Sequence, residues 1–224
     1  SEVAGFIKGQ IIQQSWLGQS FPAIVAAGDH ATILHYKNHS GSLPKNRLLL
    51  LDFGCRIFST PADITRVVPL SGTFSLIQKI LYEIVLLTQK KVEQSVKQGV
   101  TIKALNTLCW ETLEELLDER FIQKGGHYQR PYQKQPHFVS HLIAHSVHDG
   151  DPQRLYANTP LKSGMVISNE PGLYGDFSLV VDGKTYQEKI GIRLEDNLLV
   201  TQKGCDNLTK HCMKDIKAIE SVMM

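Results

Sequence analysis

The sequence lacks the features that would assign it to several special classes of protein. Its longest apolar stretch, at 80–87, contains Glu83 and is far shorter than the roughly 20 residues that a membrane-spanning helix needs. The four cysteines form no Cys-x-x-Cys pair, which argues against a structural zinc site or a disulfide framework. No low-complexity run or fixed-period repeat is present, so the composition excludes disordered and solenoid proteins.

An excess of charge of one sign is also absent, because 24 lysines and arginines balance 22 aspartates and glutamates, for a formal net charge of +2. These charges are scattered singly along the chain and form no basic stripe, so neither nucleic acid nor a membrane is expected as a partner. Few, unpaired cysteines fit a reducing compartment, and we expect the protein to be cytoplasmic.

What the sequence does have is length and histidine. Its 224 residues suffice for one large domain or two small ones with a buried core. Nine histidines are present, and four of them fall close together, at His137, His141, His145 and His148. This cluster requires a chemical explanation.

The first third of the chain has the composition of β-strands. The segments 21–28 and 31–36 are rich in Ile, Val and aromatic residues and are predicted to be paired strands separated by Asp29 and His30. Further strands are predicted at 47–54, where Gly54 marks a turn or bulge, and at 62–68.

Helical periodicity begins at Ser75. An apolar stripe of Leu76, Ile80, Ile84 and Leu87 predicts a helix that ends before Gly99, and Thr101 is a candidate N-cap for a second helix that reaches about Arg120. An opening helix is predicted from apolar spacing in the first 16 residues.

After the second long helix, the polar segment 123–136 is predicted to be a loop, because it contains two adjacent glycines and two prolines. Strands are predicted around 165–170 and 190–200, followed by a C-terminal helix at 214–224. The order of strands, two long helices and strands predicts an α+β fold with helices on one face of a largely antiparallel sheet.

Acidic residues occupy strand positions where a charged side chain has no obvious packing role. Asp52 follows four leucines, and Asp63 comes eleven residues later, so antiparallel strands can bring the two carboxylates side by side. Glu170 and Glu195 end or interrupt other apolar segments. Burying such groups costs several kcal/mol unless positive charge lies between them.

His141 can complete such a set. Four carboxylates and one neutral imidazole nearly neutralise two divalent cations, and mostly oxygen ligands suit Mn²⁺ or a similar hard ion. A pair of such ions lowers the pKa of a bridging water to give hydroxide, and the pattern predicts a two-metal hydrolase. N-capping aspartates or acids paired with arginine explain the same residues from charge alone.

A resemblance carried by six segments, in the same order along the chain, favours the metal site over capping or arginine-paired acids. FPAIVAAG, ILHY, LLLDFG with ADITR eleven residues later, HFVSHLIAHSVHD, SGMVISNEPGLY and GIRLEDNLLVT resemble the catalytic domain of aminopeptidase P and prolidase, the proline-specific pita-bread metallopeptidases. The resemblance implies a pita-bread fold, a curved and mostly antiparallel sheet covered by helices, over residues 1–224. It also implies that the family's N-terminal domain and the start of the first helix are missing.

The resemblance further implies a metal-ligand set. Asp52 would chelate one metal, Asp63 and Glu195 would bridge both, and His141 with Glu170 would bind the second. The metals would be two divalent ions, with Mn²⁺ favoured and Co²⁺ or Zn²⁺ also compatible with the ligands.

Catalytic and substrate-binding roles follow from the same resemblance. Glu170 would also accept a proton, and His35 and His148 would donate hydrogen bonds to the peptide and to the developing oxyanion. His137, Tyr174 and Arg193 match supporting residues that bind substrate or hold the site. Arg154 is a further candidate for substrate binding, but its loop does not align cleanly and no role is assigned to it.

The metal-binding histidine could be His141 or His145. His141 preserves the family's spacing to His137 and His148 without a gap, so it is favoured, and His145 is interpreted as an outer or exposed side chain. Two family glycines are replaced, by Phe138 and Ala144, and both are expected to add bulk near the metal pocket.

The implied function is hydrolysis of the Xaa-Pro bond at peptide N-termini by a hydroxide that bridges two metal ions. Alternatives are an Xaa-Pro dipeptidase (prolidase) and a pita-bread binding module without catalysis, although the latter class typically loses metal ligands. The expected partner is a peptide with proline in second place, and a homodimer or higher homo-oligomer is compatible with the resemblance.

Overall fold

A computed structural model describes residues 2–15, 17–38, 41–130, 135–151 and 153–223 of the chain. Four α-helices lie within these ranges: α1 (Glu2–Gln14), α2 (Leu76–Ser95), α3 (Ile102–Arg120) and α4 (Ile216–Met223). Three short 3₁₀ turns occur at Gly28–Thr32, Ile122–Lys124 and Leu155–Asn158. In the part of the chain that is described, none of the helices combines the length and apolar character needed to cross a membrane.

Twelve strands are described, many of them short. They are β1 (Ile24–Ala27), β2 (Leu48–Phe53), β3 (Arg56–Ile57), β4 (Thr60–Pro61), β5 (Ile64–Pro69), β6 (Gly126–Gln129), β7 (Leu142–Ile143), β8 (Val166–Asn169), β9 (Gly172–Val181), β10 (Lys184–Arg193), β11 (Asp196–Val200) and β12 (Cys205–Asn207).

The strands form three main sheets and one small hairpin. The first sheet has the order β1-β2-β5, the second β10-β9-β6 and the third β12-β11-β8-β7, while β3 pairs with β4. Every strand pair described is antiparallel. The α+β class and the antiparallel sheet predicted from the sequence are therefore confirmed.

The two long helices begin where their caps predict. Ser75 and Gln78 form a capping box at the start of α2, and the Thr101 hydroxyl accepts a hydrogen bond from the Ala104 amide at the start of α3. Both helices pack on each other, and α2 also contacts β9 and β10. One large apolar cluster fills the space between the helices and the first two sheets, and a second lies under α3 and the third sheet.

The buried face of α2 is displaced from the predicted stripe, and the two share Ile84. Leu76 is 39% exposed, whereas the fully buried positions include Ile77, Leu81, Ile84 and Val85. The buried face is displaced because α2 packs against α3 and the sheet together, so the residues that meet both partners become the centre of the face.

The predicted strand at 31–36 is also wrong. Gly28 adopts a φ of +58°, which turns the chain out of β1 into a 3₁₀ turn, and the His30 ring stacks on Tyr36 with ring centroids 4.5 Å apart. The strand β1 pairs instead with β2, in a register that places Ile24 opposite Asp52.

Two further boundaries differ from the prediction. Part of the polar segment 123–136 forms strand β6, which pairs with β9 through the backbone and needs no apolar alternation, while 131–134 lie outside the described residues. The strand predicted at 190–200 is two strands, because the chain leaves β10 after Arg193 and enters β11 at Asp196.

Candidate metal centre and active site

A cavity of about 530 Å³ collects side chains from the first two sheets, from α3, from the 135–148 segment and from positions next to strands β8 and β11 of the third sheet. Nine of the ten residues assigned to the site from the sequence line this cavity: His35, Asp52, Asp63, His137, His141, His148, Glu170, Arg193 and Glu195. The tenth, Tyr174, is buried behind the wall, where its hydroxyl accepts a hydrogen bond from Arg193 Nη1 at 3.2 Å. The roles of these residues stay predictions, but the fold brings them together.

Strands β2 and β5 bring the two aspartates together. Asp52 pairs with Thr65 in the ladder, and Asp63 lies one residue before β5, so both carboxylates reach the same end of the sheet. The chain can approach this closely because residue 54 is a glycine: a Cβ on Gly54 would lie 1.8 Å from the carbonyl oxygen of Ala62.

Glu195 enters between β10 and β11 and is held by its neighbour across the sheets. The Thr65 hydroxyl donates a hydrogen bond to Glu195 Oε2 at 2.7 Å, and the Glu195 amide donates to the Thr65 carbonyl at 3.1 Å. Glu195 is 2% exposed, so its position is set by protein contacts.

His141 presents one ring nitrogen to the acids. Its Nδ1 lies 3.3 Å from the carbonyl oxygen of Leu142, and a carbonyl only accepts, so Nδ1 carries the hydrogen. Its Nε2 faces Glu170 Oε1 at 3.3 Å, Asp63 Oδ2 at 3.6 Å and Glu195 Oε1 at 3.9 Å. With a proton, Nε2 donates a hydrogen bond to Glu170; without one, its lone pair points among the acids, which is the arrangement of a metal ligand.

The same atoms form three overlapping groups in which all donor atoms lie within 4.8 Å of one another. The groups are Asp52, Asp63 and Glu195; His141, Glu170 and Glu195; and Asp63, His141 and His148. The first two groups share Glu195 and include all five ligands expected from the resemblance. The third adds His148, whose expected role was at the substrate.

Three of the buried carboxylate oxygens at this site accept no hydrogen bond from the described residues: Asp52 Oδ1, Asp63 Oδ1 and Glu195 Oε1. Leaving buried charged oxygens unpaired is costly, and cations are the partners that remove the cost without a further side chain. Because the donors are carboxylate oxygens with one imidazole nitrogen, the residues present fit hard or borderline divalent metal ions.

Repulsion among the buried carboxylates raises the pKa values of two of them, Asp63 and Glu195. Burial, together with the charges of Asp52 and Glu170, raises the pKa of Asp63 to about 9. Burial and the charges of Asp63, Glu170 and Asp52 raise the pKa of Glu195 well above its usual range. Protons and metal ions therefore compete for the same oxygens.

Arg193 is the one guanidinium at the centre of the described site. Its Nη2 donates to Asp52 Oδ2 at 2.6 Å, its Nη1 to the Tyr174 hydroxyl and its Nε to the Thr65 hydroxyl at 3.2 Å. Despite burial, the hydrogen bond to Tyr174 and the charges of Asp52 and Glu170 raise the pKa of Arg193 well above its ordinary value. Arg193 therefore orients Asp52 directly and Glu195 through Thr65.

His137 is held as a neutral imidazole. Its Nδ1 donates to the carbonyl oxygen of Phe138 at 2.9 Å, so its Nε2 accepts from the Tyr174 hydroxyl at 3.0 Å. Burial lowers the pKa of His137 below its usual value, in agreement with this tautomer.

Glu170 faces the cavity with only 15% of its side chain exposed. It accepts a hydrogen bond from the Ser168 hydroxyl at 3.3 Å and lies 3.7 Å from His137 Nδ1. Burial alone would raise the pKa of Glu170, but the hydrogen bond and charge of a protonated His141, together with the charge of Arg193, outweigh it and lower the pKa to about 2. Glu170 is therefore a carboxylate at neutral pH.

His35 and His148 are exposed residues at the cavity wall. The ring of His148 lies edge-on to that of His141, with centroids 4.3 Å apart. Burial and the charge of His141 lower the pKa of His148, so its ring is neutral at physiological pH and keeps one N–H to donate.

The structure separates the two candidate histidines and the two replaced glycines. His141 is buried among the acids, whereas His145 is exposed and lines a different surface depression together with Ala144. The expectation that Ala144 adds bulk to the metal pocket is therefore wrong, because Ala144, directly after β7, lines that depression and not the cavity. Phe138 does line the cavity, and the guanidinium carbon of Arg154 lies 4.9 Å from its ring centroid.

Several residues that shape the site carry no signal in the sequence that we used. Thr65 and Ser168 hold ligands through their hydroxyls, and Asn106 accepts from the Val139 amide and fixes the segment that carries His137. Their one available signal is position, because Thr65 and Ser168 lie two residues from Asp63 and Glu170. Arg154, to which no role was assigned, lines the cavity.

Comparison with known proteins gives a family and close structural relatives. The model of metallopeptidase family M24 matches residues 1–202. The chain is 36% identical over 214 residues to the Xaa-Pro aminopeptidase of Haemophilus influenzae, covering 91% of this chain and 48% of that protein. It is 34% identical over 204 residues to the mitochondrial intermediate cleaving peptidase 55 of Arabidopsis thaliana, covering 91% and 40%.

A solved structure with the same architecture is proline aminopeptidase P II from Yersinia pestis, at 30% identity and a TM-score of 0.83 over 99% of this chain and 52% of that one. This likeness confirms the pita-bread fold and the resemblance to aminopeptidase P. The chain spans less than half the length of the two curated relatives. Because the family model covers nearly the whole sequence, the chain belongs to metallopeptidase family M24.

Proposed function

We propose that residues 1–224 form one catalytic domain of a dinuclear metal-dependent aminopeptidase that hydrolyses the Xaa-Pro bond at peptide N-termini. The observation that carries this proposal is the set of three buried carboxylate oxygens at the site without hydrogen bonds, beside Nε2 of His141. Relatives named as Xaa-Pro aminopeptidases support the choice of reaction.

In this proposal, Asp52 would hold one ion, His141 and Glu170 would hold the second, and Asp63 and Glu195 would contribute to both. Two divalent cations lower the pKa of water and polarise a carbonyl group, which is the chemistry that peptide hydrolysis requires at neutral pH. Mn²⁺ is the proposed metal because four of the five ligands are carboxylates, and Co²⁺ and Zn²⁺ are the ions to compare.

The chain's own residues supply the proton transfers and the hydrogen bonds. Glu170 is ionised and borders the cavity, so it can accept a proton from the attacking water and deliver it to the leaving nitrogen. His148, neutral and at the wall, donates its N–H to the carbonyl oxygen as negative charge develops there, and His35 donates to the peptide.

Substrate orientation rests on the remaining wall. His137 and Arg193 line the cavity, and Tyr174 links them through its hydroxyl. Phe21, Ile24, Leu34, Phe138 and Val147 supply an apolar surface for a proline ring. We therefore propose peptides with proline in second place as the substrate class, with dipeptides and longer peptides to be separated by experiment.

The compartment and the assembly state are also proposals. All four cysteines are free, and we propose a cytoplasmic location on that ground, with fractionation of cells as the test. A homodimer or higher homo-oligomer is tested by light scattering on the full-length protein.

The deciding experiment measures metal content and product. Metal-stripped protein is reconstituted with Mn²⁺, and hydrolysis of Ala-Pro and Ala-Pro-Ala is followed by mass analysis, with Ala-Ala-Ala as a matched control peptide. We expect two ions per chain and free alanine from the proline peptides. Two bound ions without turnover would support the silent binding module instead, and no bound metal would refute the metal centre.

The matched variant is Asp63→Asn, which preserves shape but removes a bridging carboxylate. It should lose metal and activity together. Cleavage of Ala-Pro but not of Ala-Pro-Ala would identify the protein as a dipeptidase of the prolidase type.

A further inference from the structure

Two residues on adjacent strands contact ligands from separate segments of the chain. Ser168 in β8 lies directly opposite Asn197 in β11, so their side chains project from the same face of the third sheet. That face is the one from which Glu170 and Glu195 reach the cavity, two residues away along each strand. Ser168 is completely buried, and Asn197 is 4% exposed.

Asn197 forms two hydrogen bonds with the backbone of Asp63. The Asp63 amide donates to Asn197 Oδ1 at 3.0 Å, and Asn197 Nδ2 donates to the Asp63 carbonyl oxygen. Asp63 lies outside the β2–β5 ladder, so these bonds replace the strand pairing that it lacks. One carboxamide thus satisfies both backbone groups of a residue 134 positions away.

Ser168 forms hydrogen bonds with two residues of the second proposed metal site, His141 and Glu170. Its hydroxyl oxygen accepts a hydrogen bond from the His141 amide at 2.9 Å and donates its hydrogen to Glu170 Oε1 at 3.3 Å. One hydroxyl therefore fixes the backbone that carries His141 and the orientation of the Glu170 carboxylate.

The opposite face of the same strands is anchored independently. Asp196, next to Asn197, is fully buried and accepts hydrogen bonds from Arg66 at 2.6 Å and from Lys214. The Asn197 amide donates to the Thr209 hydroxyl, which donates in turn to Asp196. Hydrogen bonds to Asp196 therefore fix strand β11 on one face of the sheet, while Asn197 bonds to Asp63 on the other face.

We propose that the cross-strand pair Ser168 and Asn197 positions the metal ligands, setting the separation between Asp63 on one side and His141 with Glu170 on the other. This inference rests on the proposed dinuclear function. Neither residue lines the cavity or belongs to the groups of candidate ligands. Their effect is exerted through three ligands, and partners that orient ligands are typically worth about ten- to hundred-fold in metal affinity.

Substitutions of the two residues should affect the two Mn²⁺ sites differently. Ser168→Ala removes the contacts to His141 and Glu170 and should weaken the second Mn²⁺ site by about ten- to hundred-fold while changing the first far less. Asn197→Ala frees Asp63, which contacts both ions, and should weaken both sites. A purely structural role would weaken the two sites equally in both variants.

The experiment titrates full-length, metal-stripped protein with Mn²⁺ by calorimetry and records the electron paramagnetic resonance spectrum. Two adjacent Mn²⁺ ions give a magnetically coupled spectrum, and one ion gives the six-line spectrum of an isolated centre. We expect Ser168→Ala at low metal to give the six-line spectrum where the unmodified protein gives the coupled one.

The control is Thr88→Ala. Thr88 is a completely buried residue of α2 whose hydroxyl donates a hydrogen bond to the Ile84 carbonyl oxygen at 2.9 Å. It should lower the melting temperature and leave the coupled spectrum unchanged. If Asn197→Ala does not fold, Asn197→Asp replaces it, because it keeps an acceptor for the Asp63 amide and loses the Nδ2 donor. Since it also adds a buried carboxylate, its melting temperature is measured beside its Mn²⁺ affinity.

The outcomes separate the two claims. An unmodified protein that binds no Mn²⁺ overturns the proposed function itself. An unmodified protein that binds two ions, with Ser168→Ala and the Asn197 variant binding both at unchanged affinity, overturns the positioning role alone. So does a Ser168→Ala protein that weakens both sites to the same extent.

Discussion

Arg193 and Asp52 form a buried ion pair, with Nη2 of the guanidinium 2.6 Å from Oδ2 of the carboxylate. The other oxygen of Asp52 faces the metal cluster without a hydrogen bond among the described residues. One oxygen of Asp52 is therefore paired with the Arg193 guanidinium, and the other is available to a metal ion.

Removing that permanent cation should destabilise the metal-free protein. Arg193→Gln leaves Asp52 buried without a charge partner, and we expect the free energy of unfolding to fall by about 3 kcal/mol. Urea unfolding in the presence of a chelator measures it. Arg193→Lys keeps the charge but loses the planar guanidinium that also bonds to Tyr174 and Thr65. Its free energy of unfolding should therefore lie between those of the unmodified protein and Arg193→Gln. An unchanged unfolding midpoint in both variants would show that the pair contributes nothing.

The stability of the metal-free protein should fall as the pH rises. The pKa of Asp63 is about 9 in the folded chain against 3.8 for an ordinary aspartate, so the folded state binds the extra proton between these values. Stability decreases with pH wherever the folded state binds more protons. The melting temperature in chelator should therefore be lower at pH 8.5 than at pH 6. Asp63→Asn should flatten this slope, and a rising slope would contradict the pKa shift.

Metal binding at neutral pH should release protons. Since Asp63 and Glu195 both have raised pKa values without metal, Mn²⁺ must displace protons to reach their oxygens. Calorimetric titrations in two buffers of different ionisation enthalpy measure the number released. We expect a positive release at pH 7 that shrinks above pH 9, with less release in Asp63→Asn. Identical heats in both buffers would mean that the site is already ionised.

Phe138 should restrict the size of the substrate. Its ring lines the cavity and contacts Arg154, so Phe138→Gly opens the wall and releases that guanidinium. We expect the preference for small over bulky side chains beside the proline to relax by about tenfold in kcat/KM. Ala144→Gly is the matched control, because Ala144 replaces a family glycine outside the cavity. A specificity change of equal size in both variants would remove Phe138 as the cause.

Gly54 should resist replacement. A Cβ at this position would lie 1.8 Å from the Ala62 carbonyl oxygen and 2.4 Å from the Ser20 hydroxyl oxygen, so Gly54→Ala must push apart the segments that carry Asp52 and Asp63. We expect a loss of about 1–3 kcal/mol in unfolding free energy, with weaker Mn²⁺ binding. Gly9→Ala in helix α1 has nothing within 4 Å of its added carbon and should leave both quantities unchanged or slightly improved.

Local signals in the sequence predicted the long helices well. Ser75 and Thr101 cap their own helices by bonding to residues three positions away, so their information lies entirely within the segment. Segment 31–36 has strand-forming side chains, but the positive φ of Gly28 and the stacking of His30 on Tyr36 decide its conformation. Strand β6 could not be predicted because its partner, β9, lies far along the chain and pairs with it through the backbone.

At the site, a similar limit applies. Acids on apolar strands and a cluster of histidines indicated which side chains needed a common partner, and the resemblance supplied the order of the ligands. Asn197 is invisible to that reasoning, since its contact with Asp63 joins residues 134 positions apart and an asparagine at the start of a strand carries no chemical signature.

The five proposed ligands come from stretches of chain that extend from Asp52 in β2 to Glu195 beside β11. Until the later strands have joined the sheet, no high-affinity binding place exists, because the earlier acids alone make only part of it. Capture of metal is therefore expected to be a late event in the maturation of this protein, so that bound manganese would report that the chain has completed its tertiary structure.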